Sequence, residues 1–189
     1  MNLYLTTTTG FNESQPNPNI SLGGYKSSSL VTNDDFDNLF GEVSLMTIKN
    51  QRDEYRAIVL CNDYSQPVNK ISIHVETPED GICSYKMALG VMNGLDKYNK
   101  PFMENVATVN SKPFHAAFVD MSNDATLDVG TLQAGQQIGL WICRHVDMEK
   151  ARKQYEDVAE KDPTDPSGRR YRPVNHPTTE TVNVVIKWA

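Results

Sequence analysis

Apolar and polar positions alternate most regularly from Gln137 to Val146. Ile138, Leu140 and Ile142 fall on one face of an extended chain, and Gly139, Trp141, Cys143 and His145 on the other. Both faces carry apolar bulk, so the pattern predicts a central strand rather than an edge. It is entered through Leu132-Gln133-Ala134-Gly135, where Gly135 suits the positive φ of a tight turn. Gly135 and Gly139 also leave room for a neighbouring backbone or ring.

The same period recurs before this strand. Val43 to Ile48 and Tyr55 to Asn62 flank a polar stretch and read as a hairpin, with YRAIVLCN apolar on both faces and therefore buried. Ile71, Ile73 and Val75 alternate with Ser72, His74 and Glu76, which puts His74 on a solvent-facing side. Cys83 to Val91, Phe102 to Val109 and Phe114 to Met121 read as further strands, separated by turn residues and a polar loop from Asn93 to Pro101. Repeated short strands with turn signals between them predict an all-β sandwich of the immunoglobulin-like or jelly-roll type over residues 43–146. Val182, Val184, Ile186 and Trp188 alternate again, so 182–189 returns to it as a terminal strand.

Two segments break the pattern. Residues 1–42 carry Thr6 to Thr9, Pro16, Pro18, Gly23-Gly24 and Ser27 to Ser29 with scattered apolar residues, and read as an extended N-terminal arm ending in a short helix. That helix would be capped by Asn33, Asp34 and Asp35 and closed by Gly41. Residues 147–181 form an insertion before the last strand. Asp147 caps a helix with Met148, Ala151, Tyr155, Val158 and Ala159 on one stripe, and the basic run Arg169, Arg170, Tyr171, Arg172 follows Pro163 and Pro166. The arm's Leu3, Tyr4, Leu5, Phe11, Leu22, Gly23, Gly24 and Tyr25 are spaced like anchors. With the arginines, which suit carboxylate or phosphate groups, they are the candidate subunit-interface residues.

Composition narrows the partners. A net charge of −6 argues against direct nucleic-acid binding or an anionic membrane, and no apolar run approaches the length of a membrane span. MNLYLTTTTG lacks a basic start and an apolar core, so no secretion signal is expected. Cys61, Cys83 and Cys143 sit singly in strand patterns. Reduced buried thiols are the expectation over one disulfide and a leftover thiol.

Catalytic motifs are absent from the sequence. There is no GxSxG, HExxH or phosphate loop, and His74, His115, His145 and His176 lack metal-ligand spacing. No catalytic, cofactor or metal residues are therefore assigned, and the chain is expected not to be an enzyme. A glycan-binding module is a competing class, and the loop from Asn93 to Phe102, with Tyr98, would be its site.

Three stretches carry a resemblance to a family of small structural proteins of tailed bacteriophages. These are SLGGY at Ser21 to Tyr25, EYRAIVLCN at Glu54 to Asn62, and LQAGQQIGLWICR at Leu132 to Arg144. The resemblance spans roughly residues 1–146, in the same motif order. It implies an immunoglobulin-like virion module without catalysis, cofactor or metal, made in host cytoplasm and built into a particle beside copies of itself and other virion proteins. A ring-forming tail or connector (collar) component assembling through its arms is the leading expectation, and a capsid decoration or head-fibre protein is the alternative.

Overall fold

In this computed structural model, residues 1–32, 39–41, 43, 53–79, 81–90, 92, 94–97, 99–122, 124–157, 160–161, 164, 166–167, 171–172 and 182–189 are described. Strands β1 (Asn2–Thr7), β2 (Gly23–Leu30), β3 (Glu54–Cys61), β4 (Val68–Glu76) and β5 (Cys83–Gly90) come first. They are followed by β6 (Gly94–Leu95), β7 (Pro101–Asn105), β8 (Val119–Met121), β9 (Leu127–Leu132) and β10 (Gln137–Val146). Helix α1 (Met148–Asp157), a short ladder of β11 (Glu160–Lys161) and β12 (Tyr171–Arg172), and β13 (Asn183–Lys187) complete the chain. The fold is all-β, as expected.

An eight-stranded antiparallel sheet runs β6-β7-β2-β1-β3-β10-β5-β8, and a three-stranded sheet runs β13-β4-β9. The chain changes sheet between β3 and β4, β4 and β5, β8 and β9, and β9 and β10, which stacks the two layers face to face. Between them lie Ile58 and Leu60 of β3, Leu140 and Ile142 of β10, Ile71, Ile73 and Val75 of β4, and Met87 of β5. β10 is central, paired with β3 from Gln137↔Cys61 to Arg144↔Glu54 and with β5 from Gly139↔Gly90 to Val146↔Cys83. Its alternation sends Leu140 and Ile142 into this core and Trp141 and Cys143 into a second one on the opposite face.

The second core exists because the large sheet curls over its own back. Met103 of β7 packs against Trp141, Ala57 and Ala88, with Val106, Ala116 and Phe118 closing the side. Gly90 and Gly139 face each other across β5 and β10 and make the space: a Cβ on Gly139 would lie 2.9 Å from the Met103 sulfur and the Gly90 oxygen. Gly139 thus permits close approach, as the sequence suggests. Gly135 does not, since nothing lies within 4 Å of its Cβ position; its role is the turn, at φ 73°.

The largest difference from the sequence reading lies in residues 1–32. β1 and β2 are interior strands of the large sheet, not an arm outside it: β1 pairs with both β3 and β2, and β2 pairs onward with β7. Leu5 is their one fully buried apolar side chain, and polar side chains add a set of hydrogen bonds. The Ser21 hydroxyl accepts from the Thr6 amide at 2.7 Å and donates to the Ala57 carbonyl, while the Gly23 amide donates to the Thr6 hydroxyl at 2.9 Å. Thr6 and Ser21 are fully buried, and each finds its partners inside this network.

Strand lengths differ elsewhere too. In the expected strands at 102–109 and 114–121, only Pro101–Asn105 and Val119–Met121 are extended and paired. Val43 is outside any strand, and 44–48 lie outside the described residues, as do 33–38 and 42 of the expected short helix. Leu39, Phe40 and Gly41 are not helical. α1 begins where predicted, with Asp147 Oδ1 accepting from the Glu149 and Lys150 amides at 2.9 and 3.0 Å. Ala151 is buried against Ile82 and Val146, whereas Met148, expected on the same stripe, is 37% exposed. β13 joins β4 along Asn183↔Glu76 to Lys187↔Ser72; Val184 and Ile186 face the core, and Trp188 beyond them is half exposed.

Candidate functional site

The sequence motifs prove to be partners of one another. Glu54 and Arg144 sit opposite each other in the β3–β10 register and form an ion pair through Arg144 Nη2 and Nε. Ala57 lies opposite Trp141, leaving the indole room between Ala57 and Ala88. Asn62, fully buried at the end of β3, donates through its amide to the Gln66 and Leu132 carbonyls, both at 2.9 Å. Its backbone oxygen accepts from the Gly135 amide at 2.8 Å and its amide donates to Gln136 at 2.9 Å, so one asparagine ties two turns at the same end of the sandwich.

Two arginines gather the chain before β3. Arg56 Nε donates to the Leu39 carbonyl at 3.0 Å and Arg144 Nη1 to the Gly41 carbonyl at 2.8 Å. Phe40 is held between the two guanidinium groups, 5.2 Å from that of Arg56 and 4.8 Å from that of Arg144. Burial, opposed by Glu54 and reinforced by Arg144, lowers the Arg56 pKa from its ordinary value. The group acts as a clamp on residues 39–41, and the sequence signal for it was the EYR triplet itself.

Titratable groups also meet at the open end of β10. His145 Nδ1 lies 2.7 Å from Asp53 Oδ1, and the Tyr55 hydroxyl donates to Asp53 Oδ2 at 3.2 Å. Ser84 of β5 stands opposite His145 of β10, and Asp53, the residue before β3, meets His145 from the other side. The set resembles a hydrolytic triad in residue types alone: among the described residues no side-chain hydrogen bond joins Ser84 to His145. Burial, and then the Asp53 charge, push the Cys143 thiol up to about 12, which keeps it protonated and unreactive at neutral pH. Burial likewise raises the Tyr55 hydroxyl, with Cys143 and Asp53 adding to it. Among the described residues no group of His, Cys, Asp or Glu is arranged to hold a metal ion.

His74 differs from expectation. It is 4% exposed rather than solvent-facing, with Nε2 3.4 Å from Glu76 Oε1 and, among the described residues, no hydrogen-bond partner for Nδ1. The outward face of β4 is covered at this position, which period-two alternation alone cannot reveal.

The candidate interface residues divide. Leu5, Gly23 and Gly24 are buried, and Leu3, Tyr4, Phe11, Leu22 and Tyr25 are half-buried within the subunit. Leu3 packs on the main core, Tyr4 lies under the Lys26 ammonium at 4.0 Å, and Tyr25 packs on Phe102 at 6.0 Å between ring centroids. Gly24 lies so close to β1 that a Cβ there would be 2.5 Å from the Thr7 oxygen. Their spacing is accounted for by packing inside one sheet. Arg169 and Arg170 lie outside the described residues; Tyr171 and Arg172 form β12, paired with β11, where the sequence predicts a loop. In the loop considered for glycans, Tyr98 lies outside the described residues.

Comparison with protein-family models, curated proteins and solved structures found no match. No helix among the described residues is long and apolar enough to cross a membrane.

Proposed function

We propose that this chain is a non-enzymatic structural protein of a tailed-bacteriophage particle, a ring-forming subunit of the tail or connector (collar) made in host cytoplasm and assembled with copies of itself and other virion proteins. One observation carries the reading. The three stretches that resemble the phage family complete one another: Glu54 with Arg144, Ala57 with Trp141, Asn62 with the turn at Leu132–Gly135, and Ser21 with Thr6 and Ala57. That mutual packing supports reading the three stretches as parts of one scaffold, which is the form the resemblance implies. With residues 2–30 built into the sheet, assembly falls to surfaces other than an N-terminal arm.

The test is to locate and count the chain in purified particles by electron microscopy and quantitative mass spectrometry. A ring at the tail or connector supports the proposal. Distribution over the capsid moves the protein to the decoration or head-fibre class, and absence from particles rejects the virion reading.

A glycan-binding reading is favoured by a different feature from the one the sequence suggested. Tyr64 is 50% exposed beside Asp63, whose carboxylate accepts from Asn2 at 2.8 Å and from the Tyr4 hydroxyl at 3.4 Å. An aromatic platform with an ordered carboxylate suits a sugar ring. Glycan-array binding lost in Tyr64→Ala would favour it, and a blank array would remove it.

A further inference from the structure

The side chains gathered around Phe40 carry more positive charge than the described residues neutralise. Arg56 and Arg144 are 3% and 6% exposed, and Glu54 is the carboxylate they share. Arg144 takes it through Nε and Nη2, whereas Arg56 forms no ion pair among the described residues. Its Nε, Nη1 and Nη2 donate instead to neutral oxygens, the Leu39 carbonyl, the Tyr55 carbonyl and Asn19 Oδ1, each at 3.0 Å. Two buried cations thus stand against one carboxylate. A buried guanidinium short of counter-charge costs free energy that bonds to neutral oxygens only partly return.

Between the two cations lies a ring without charge. Phe40 sits 5.2 Å from the Arg56 guanidinium and 4.8 Å from that of Arg144. An aromatic face attracts cations through its quadrupole but neutralises neither. The segment that presents it is lightly held. Leu39, Phe40 and Gly41 are half-buried and belong to neither helix nor strand. Among the described residues their backbone bonds only to the arginines: the Leu39 carbonyl accepts from Arg56 Nε, and the Gly41 carbonyl from Arg144 Nη1 at 2.8 Å. A guanidinium bonds an oxyanion roughly twice as strongly as a neutral carbonyl. A phosphate or carboxylate group therefore replaces what this segment offers both arginines and supplies the charge it lacks.

We propose that Arg56 and Arg144 form an oxyanion-binding site, taking a phosphate or carboxylate group, and that residues 39–41 are the displaceable plug that closes it. Phe40 holds the place of the anion between the guanidinium groups. Entry costs the contacts of Phe40 with the core rim and with Tyr85, whose ring centroid lies 6.2 Å from its own, so the plug lowers the apparent affinity. Glu54 lowers it further by holding one negative charge against Arg144. The site and the virion reading are independent of each other.

The experiment is isothermal titration of sodium phosphate, sodium acetate and sodium chloride into the purified full chain, at neutral pH and matched ionic strength. Phosphate or acetate binds saturably and chloride does not. Phe40→Ala, with an unchanged circular dichroism spectrum, binds the same anion ~10-fold tighter because the plug no longer competes. Glu54→Gln also binds tighter, and Arg56→Met loses binding. A response to phosphate alone assigns the site to phosphate-bearing ligands, and a response to acetate alone to carboxylates. Binding confined to Phe40→Ala supports the site and shows the plug to be the stronger competitor. Equal binding of chloride, a Phe40→Ala variant that binds no tighter than wild type, or an Arg56→Met variant that binds as well as wild type overturns the proposal. Where Arg56→Met fails to fold, the Phe40→Ala comparison decides alone.

Discussion

In β3 and β10, apolar side chains leave both faces of the strand and fill two cores, whereas in β1 and β2 hydroxyls and glycines occupy many of the buried positions. Ile58, Leu60, Leu140 and Trp141 are removed from water by packing. Thr6, Thr7, Ser21 and Ser27 are removed from water just as completely, and Thr6 and Ser21 are satisfied by each other and by the backbone. A sheet position can thus be secured by apolar area or by a closed set of hydrogen bonds. The second route requires close backbone approach, which Gly23 and Gly24 permit at φ 98° and 93°.

The comparison breaks most visibly on truncation. Deleting residues 1–32 removes two interior strands, uncovers the edge of β3 and leaves the Ala57 carbonyl without its serine. The expected outcome is loss of cooperative thermal unfolding and of the β-type circular dichroism spectrum. A truncated chain that melts like wild type would show that the apolar strands suffice alone. Next in size is Trp141→Ala, which empties the second core beneath Met103; destabilisation of about 3–5 kcal/mol is expected from denaturant titration.

The polar route responds to a smaller change. Ser21→Ala leaves the buried Thr6 amide and Ala57 carbonyl without their shared hydroxyl, an expected loss of about 1–3 kcal/mol. A loss below about 0.5 kcal/mol would mean that the hydroxyl network is dispensable.

The smallest effect is a pH dependence of the apolar strands. Burial raises Cys61 to about 11 and Cys143 to about 12, so each neutral thiol is favoured by the folded state. Stability from these groups is complete below the ordinary thiol value of 9.0 and is lost as pH rises through their folded values. The melting temperature of wild type should fall more steeply on the alkaline side than that of Cys143→Ala. Equal slopes would mean that Cys143 ionises without penalty.

The division also explains what could be read from sequence. β10, β3, the helix cap at Asp147 and the return of β13 were legible because burial on one or both faces imposes a period, and a cap needs one residue type at one place. β1 and β2 were not, since a run of threonine, serine and glycine has the composition of a linker until its hydroxyls are seen to bond one another. Alternation alone predicts a strand at Phe114, because no sequence pattern records that Glu104 clasps the 114 and 115 amides instead. His145 sits where its alternation places it, but its Asp53 partner comes from the residue just before β3, reachable only once the register is known.

Amide hydrogen exchange compares the two routes within one molecule. If β1 is as integral to the sheet as β3 and β10, the Thr6 amide, bonded to the Ser21 hydroxyl, exchanges only on global unfolding, with protection matching that of Val59 and Leu140. Exchange of Thr6 at rates typical of exposed loops, while Val59 and Leu140 stay protected, would contradict it and return residues 1–32 to the status of an arm.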